Sequence, residues 1–241
     1  MTNSVDQKEI QQFSKDSDRW WDESGPFAPL HRLNPVRLSY IKAQICEHYD
    51  RDVDALDALK DLDILDVGCG GGLVCEPLAR LGGNVSGADA DAQAIEVAQA
   101  HAEQSNLSVT YYNQPAEEID QQFNVVLALE IIEHVTDPAA FVESISKLVK
   151  PGGIAIFSTL NRNPKSFLLG IIAAEYILRW VPKGTHSWKK FIRPSELSRF
   201  GRAAGLKPHN ITGLIFNPLT DEFSLSKNDL DVNYLLTTKK A

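Results

Sequence analysis

Short apolar runs alternate with stretches of helical periodicity along most of the 241 residues. Asp63–Val67, Asn84–Ala88, Ser108–Tyr112, Phe123–Leu129 and Ile154–Thr159 have strand length, and the run at 123–129 is almost unbroken, as expected of a strand buried on both faces. Between them, helices are predicted over Leu73–Leu81, Ala92–Ser105 and Pro138–Leu148. Ile95, Ala98 and Ala102 share one face of the second, and Lys150-Pro151-Gly152-Gly153 ends the third. Strand and helix in alternation imply a parallel, doubly wound sheet with its ligand at the carboxyl ends of the strands. Two later strands, about Lys207–Phe216 and Val232–Thr238, are expected to close the sheet as an antiparallel edge. Upstream, Ile10, Phe13, Trp20 and Trp21 suggest a partly amphipathic helix broken by Gly25-Pro26. A helix over Leu38–Tyr49 and an acidic linker, Asp50–Asp61, then lead into the first strand.

With 43% hydrophobic and 23% charged residues, the chain fits one α/β domain spanning 1–241. A net charge of −8 argues against a general nucleic-acid binder, which needs a basic face for phosphates. Cys46, Cys69 and Cys75 lack metal or redox spacing and point to a reducing, cytoplasmic compartment. Residues 1–18 are polar, without the apolar centre of a signal peptide, and no apolar run reaches the ~20 residues of a membrane span. The expectation is a soluble protein, or one peripheral on the inner face of the membrane.

The candidate chemistry begins at Leu65-Asp66-Val67-Gly68-Cys69-Gly70-Gly71-Gly72, an apolar strand running into a glycine-rich turn before a helix. Such a turn brings backbone amides up to a ligand, although glycine also serves plain turn geometry. The second strand ends in Asp89, twenty-one residues after Gly68, where a βαβ nucleoside site places an acid on the ribose hydroxyls. A dinucleotide fingerprint would need a third glycine at position 73, which is Leu73, so NAD is disfavoured. The turn resembles motif I of the class I S-adenosylmethionine (SAM) methyltransferases. That resemblance implies a Rossmann-like fold in which Gly68 and Gly70 line the methionine part of SAM, Asp89 holds the ribose, and the stretch 114–117 lies near adenine. The aromatic, proline- and arginine-rich stretch from Trp20 to Leu38 reads either as a packed cap on the domain or as a helical lid (about 1–50) over the cofactor. In the second reading Arg37 is available to a carboxylate, and SAM carries one.

After the fourth strand, Glu130, Glu133 and His134 stand at i, i+3 and i+4 and would project to one side of a helix starting there. Three readings stay open. They form a divalent-metal set for Mg²⁺; His134 alone acts as general base; or the acids merely favour a helix start while His134 packs beneath the sheet. Between the fifth strand and the next helix lies an insertion, about 161–193. Its apolar stretch, Phe167–Val181, stands among seven basic residues against the single acid Glu175. It reads as an interfacial element resting on anionic lipid or as a second lid over the site.

Trp20-Trp21-Asp22, P-L-H-R-L-N-P-V-R-L at 29–38, L-D-V-G-C-G-G-G at 65–72, E-I-I-E-H-V at 130–135, F-S-T-L-N-R-N at 157–163, A-E-Y-I-L-R at 174–179, V-P-K-G-T-H at 181–186 and D-V-N-Y at 231–234 together resemble the ubiquinone-biosynthesis O-methyltransferase family over nearly the whole chain. The resemblance implies methylation of ring hydroxyls on a 2-polyprenyl-6-hydroxyphenol and a 3-demethylubiquinol. It implies cofactor contacts at Arg37, Gly68, Asp89 and Leu129, the last standing where methionine is expected. A divalent metal would map to Glu130, Glu133 and His134. The partners expected are the polyprenylated substrate, an anionic lipid surface and a ubiquinone-biosynthesis enzyme complex. Kept beside this are a SAM methyltransferase of another small molecule and a non-catalytic SAM-binding scaffold.

Overall fold

Strands β1 (Asp63–Val67), β2 (Asn84–Ala88), β3 (Thr110–Tyr112), β4 (Phe123–Leu129) and β5 (Val149–Leu160) run parallel in one sheet, joined by helices. In the computed structural model, which describes residues 14–167 and 188–241, the sheet continues through β8 (Asn233–Lys240), β6 (Leu206–Asn217) and β7 (Glu222–Ser226), giving the order β3-β2-β1-β4-β5-β8-β6-β7. The last three pair antiparallel. The expected antiparallel edge is therefore present with one strand more than the pattern showed. That strand, β7, is largely exposed and polar, so it carries no apolar signal.

Period-2 alternation in the central strands divides the apolar side chains between two faces. Ile64, Val125, Leu127, Ile154 and Ile156 pack with α1 (Ala28–Tyr49) through Tyr40, Ile41 and Ile45, and with α2 (Cys75–Arg80) and α3 (Ala92–Gln104) through Leu78 and Ile95. Leu65, Val67, Val126, Ala155 and Phe157 face α4 (Pro138–Leu148) and α5 (Pro194–Ala203) through Phe141, Ile145 and Leu197. Burial of both faces is the arrangement that βαβ crossovers impose on a parallel sheet. Asp91 caps α3 by accepting from the Gln93 amide at 3.0 Å, and Asp137 caps α4 by accepting from the Ala139 and Ala140 amides.

Helix α1 begins ten residues earlier than the pattern indicated, with Pro29 in its first turn and Pro35 inside. Pro29 costs nothing there because a first-turn N–H has no intrahelical partner, while the interior Pro35 is what hid the continuity. Ahead of it, Ser14–Arg19 form a 3-10 turn, and the start of the expected N-terminal helix, positions 10–13, lies outside the described residues. The apolar stretch of the insertion from 168 onward lies outside them too.

Strand order reverses between β1 and β4, and this switch point places the carboxyl end of β1 beside that of β4. The residues singled out above lie along this edge and in the helix that covers it.

Candidate active site

Gly68, Gly70 and Gly72 turn the chain out of β1 with φ of +75°, +51° and +84°, a region that side chains strongly disfavour. The turn is held from below: the amides of Gly68 and Cys69 both donate to the Ala88 carbonyl, at 2.8 and 3.2 Å. Asp89, which follows β2, accepts from the Gly70 amide at 2.9 Å and from the Asp91 amide at 2.8 Å. Burial raises its pKa, and those two amides work against the rise. The carboxylate keeps acceptor capacity beyond the two amides. Gly68, Gly70 and Asp89 are thus brought into one structure, as the spacing indicated.

Arg37 lies on α1 and is buried, with 5% exposure. Its Nη2 donates to Asn34 Oδ1 at 2.9 Å, and Asn34 Nδ2 donates to the Leu73 carbonyl at 2.7 Å, so the helix is pinned to the glycine turn through the residue that orients the guanidinium. Arg37 Nε has no partner. Burial lowers the guanidinium pKa and the charges of Asp66 and Glu130 oppose the shift; an arginine stays charged under such conditions. Asp66 is a site residue that sequence reasoning passed over. It reads as one more position in a buried strand, but it is 2% exposed and its pKa is pushed up to about 7 by burial, against the pull of Arg37. A carboxylate two residues before the glycine turn was the signal available.

The stretch before α1 closes over the turn. The Trp20 ring lies against Gly70 and Gly71 so closely that a Cβ at either glycine would collide with it, and it stacks on Phe27 with centroids 3.9 Å apart. Trp21 Nε1 donates to the Gly71 carbonyl at 2.9 Å, and its ring stacks on His101 at 3.5 Å. Ser17 Oγ donates to Asp91 at 2.7 Å.

Leu129, 7% exposed, ends β4. The expected helix carrying Glu130, Glu133 and His134 on one side does not start there. Glu130 takes a left-handed φ of +53°, a 3-10 turn covers Ile132–His134, and α4 begins only at Pro138. The left-handed residue breaks the helical spacing, so Glu130 points back along the sheet. It accepts from Ser158 Oγ at 2.6 Å and from Asn233 Nδ2 at 3.1 Å. Glu133, 3% exposed, accepts from Thr159 Oγ1 at 2.8 Å. Its pKa is pushed up to about 7 by burial and by the Glu130 charge, with His134 opposing. Among the described residues no group of three His, Cys, Asp or Glu side chains is gathered closely enough to hold a metal ion, although Glu133 feels the charges of both Glu130 and His134. Asn233, a further residue that spacing did not single out, keeps a buried Oδ1 without a partner. Beyond β5, a cavity of about 560 Å³ opens where the insertion leaves the sheet, lined by Asn161, Arg162, Pro164, Trp188 and Arg193 among others.

Residues 38–211 match a family model described as a methyltransferase domain. Among solved structures, the chain is similar to magnesium protoporphyrin IX methyltransferase from Synechocystis PCC 6803 with bound SAH, with a TM-score of 0.70 at 17% identity over 97% of this chain and 100% of that one. A SAM-dependent methyltransferase from Thermotoga maritima gives a TM-score of 0.66 at 17% identity over 97% and 99% of the two chains. The fold is that of the class I SAM-dependent methyltransferases. Curated relatives are much nearer in sequence: the ubiquinone biosynthesis O-methyltransferase of Dinoroseobacter shibae is 50% identical over 97% of this chain and 96% of its own length, and that of Roseobacter denitrificans 49% over 98% and 97%. The chain belongs to the ubiquinone biosynthesis O-methyltransferase family.

Proposed function

We propose that this protein transfers a methyl group from SAM to ring hydroxyls of polyprenylated phenol and quinol intermediates of ubiquinone biosynthesis, a 2-polyprenyl-6-hydroxyphenol and a 3-demethylubiquinol. The observation that carries this reading is 50% identity to a ubiquinone biosynthesis O-methyltransferase across 97% of the chain. The glycine turn, Asp89 and buried Arg37 supply what the methyl donor requires. In this reading Arg37 pairs with the SAM carboxylate, Gly68 and Gly70 line the methionine portion, Asp89 takes the ribose hydroxyls, and Leu129 packs beside adenine. The unpartnered Arg37 Nε agrees with a ligand acceptor at that place.

Methyl transfer is an in-line displacement. The phenolic oxygen forms a bond to the methyl carbon while the carbon–sulfur bond breaks, its electron pair staying on sulfur to leave the neutral thioether. Most of the acceleration comes from holding oxygen and methyl in line. A phenol of pKa about 10 must also lose its proton, and His134 is the base we assign, taking that proton on its imidazole. Glu130 and Glu133 lie just ahead of His134 in the chain.

Labelled SAM incubated with a prenylated catechol yields the labelled methyl ether under this reading, and His134→Ala loses turnover while keeping SAM affinity. Absence of transfer with Mg²⁺ and lipid present would refute it. We infer also that the basic insertion at 161–193 rests on anionic lipid, supported by seven positive residues against one acid and by a polyprenyl substrate that partitions into membrane. No helix among the described residues is long and apolar enough to cross a membrane. Flotation with anionic vesicles weakens when Lys189 and Lys190 are neutralised; an unchanged profile rejects the lipid contact.

A further inference from the structure

The segment ahead of α1 approaches the glycine turn with a large side chain. The Trp20 ring is stacked on Phe27 and packed against both Gly70 and Gly71. A Cβ at Gly70 would come within 2.4 Å of Trp20 Cζ2, and one at Gly71 within 2.4 Å of Trp20 Cγ. The indole therefore covers one side of both glycines. In the SAM-binding reading given above, Gly70 is one of the two glycines that line the methionine portion of the donor. Ring and donor then claim the same shelf, and they cannot hold it together.

Two further observations describe a segment that can leave that shelf. Trp20 Nε1 is buried without a hydrogen-bond partner, although an indole N–H normally finds one when it leaves water. That unmet bond works against the closed position and keeps it shallow. The backbone is also held lightly. A 3-10 turn at Ser14–Arg19 is followed by single turns, Asp22 N–H to the Arg19 carbonyl at 3.1 Å and Gly25 N–H to the Asp22 carbonyl at 2.9 Å. Among the described residues the segment pairs with no strand of the sheet. Its ties to the site are side-chain bonds, from Trp21 Nε1 to the Gly71 carbonyl at 2.9 Å and from Ser17 Oγ to Asp91 at 2.7 Å. A segment held in this way opens at lower free energy than the sheet beneath it.

We propose that residues 14–27 are a strap that closes the donor site, with the Trp20 ring standing where the methionine portion of SAM binds, and that SAM enters only after the strap swings off the glycine turn. The inference rests on the SAM-binding reading given above. It makes the segment a tethered competitor of the donor and not a cover over it. The pivot is the turn at Gly25-Pro26, because beyond it α1 stays in place through the bond from Asn34 Nδ2 to the Leu73 carbonyl. Closure lowers the affinity for SAM and for its demethylated product by the same factor, since both carry the methionine portion. With an open population of about 10% or less, that factor is about tenfold or more.

Calorimetry and stopped-flow binding of SAM to the full chain test this in wild type, Trp20→Ala and Trp21→Phe. Trp20→Ala removes the competing ring, so Kd for SAM tightens about tenfold, and the gain lies in the association rate because the ring acts on the free protein. Trp21→Phe leaves the shelf untouched and removes one tie of the strap, so Kd tightens about threefold. Trypsin digestion of wild type gives a readout that needs no variant: saturating SAM releases the strap and speeds cleavage after Arg19. A Trp20→Ala protein that folds and binds SAM no more tightly than wild type overturns the proposal. So does protection of Arg19 by SAM, the result expected of a cover that closes over the donor. If Trp20→Ala does not fold, Trp21→Phe and the digestion decide in the same sense. Failure of all three proteins to bind SAM would instead sink the donor reading on which the strap rests.

Discussion

Replacing Asp66 by asparagine isolates the one buried acid of β1 beside Arg37. The carboxyl is 2% exposed, and burial moves its pKa from the ordinary 3.8 to about 7 even with the Arg37 charge and the Cys75 thiol favouring the ionised form. Its folded pKa is raised, so the native state holds a proton that the unfolded chain has already released. Stability therefore falls as pH rises from about 4 to about 7 and levels off above, with a slope of about 1.4 kcal/mol per pH unit and a total of about 4 kcal/mol. Asparagine cannot titrate. Urea unfolding of wild type and Asp66→Asn at pH 5, 6, 7 and 8 gives a difference in stability from which the other acids largely cancel, Asp89 and Glu133 among them, as far as their own pKa values survive the exchange. Relative to the variant, wild type loses about 1.4 kcal/mol for each pH unit between 5 and 6, less between 6 and 7, and little beyond. A difference flat across this range would refute the placement of Asp66 as a protonated buried acid. That flat result is also what an Asp66 ionised beside Arg37 throughout gives, because folded and unfolded states are then both deprotonated above pH 5.

Three further outcomes follow from the same geometry. Arg37→Met removes the buried cation proposed to meet the SAM carboxylate and raises Kd for SAM by about 30-fold or more, the low end for truncating a buried charge partner, as read by calorimetry; a change under threefold contradicts the assignment. Gly70→Ala places a methyl group against the Trp20 ring at a φ of +51°, so the variant loses both SAM affinity and about 1–3 kcal/mol of stability, measured by ligand titration and urea unfolding. Chelation with EDTA leaves Kd for SAM unchanged, because the groups assigned to the donor include no metal ligand; a tenfold loss of affinity would put a cation in the donor subsite.

The glycine turn and Asp89 were legible because local geometry suffices for them. A chain leaving β1 at positive φ needs glycine, and an acid at the end of β2 must lie beside that turn once the two strands pair in register from Asp63 and Asn84 to Val67 and Ala88. The two-faced core was legible for the same kind of reason, since period-2 alternation assigns Ile64 and Leu65 to opposite sides without knowledge of their partners. Spacing misled at Glu130. The i, i+3, i+4 pattern presumes a continuous helix, and one left-handed residue, held by a bond from its amide to the Ser158 carbonyl on β5, sends the carboxylate to Ser158 and Asn233 instead.

Sequence alone thus determined the strand and helix alternation, the glycine-rich turn and the family to which the chain is similar, all properties of neighbouring residues or of motif identity. Tertiary structure decided what depends on contacts between distant segments. Asp66 is an ordinary strand residue until burial shifts its proton equilibrium, Asn233 lies 103 residues from the Glu130 that it meets, and Trp20 meets Gly70 and Gly71 only because the chain ahead of α1 folds back onto them. Burial and long-range proximity are set by the packing of the whole sheet, and no local pattern carries them.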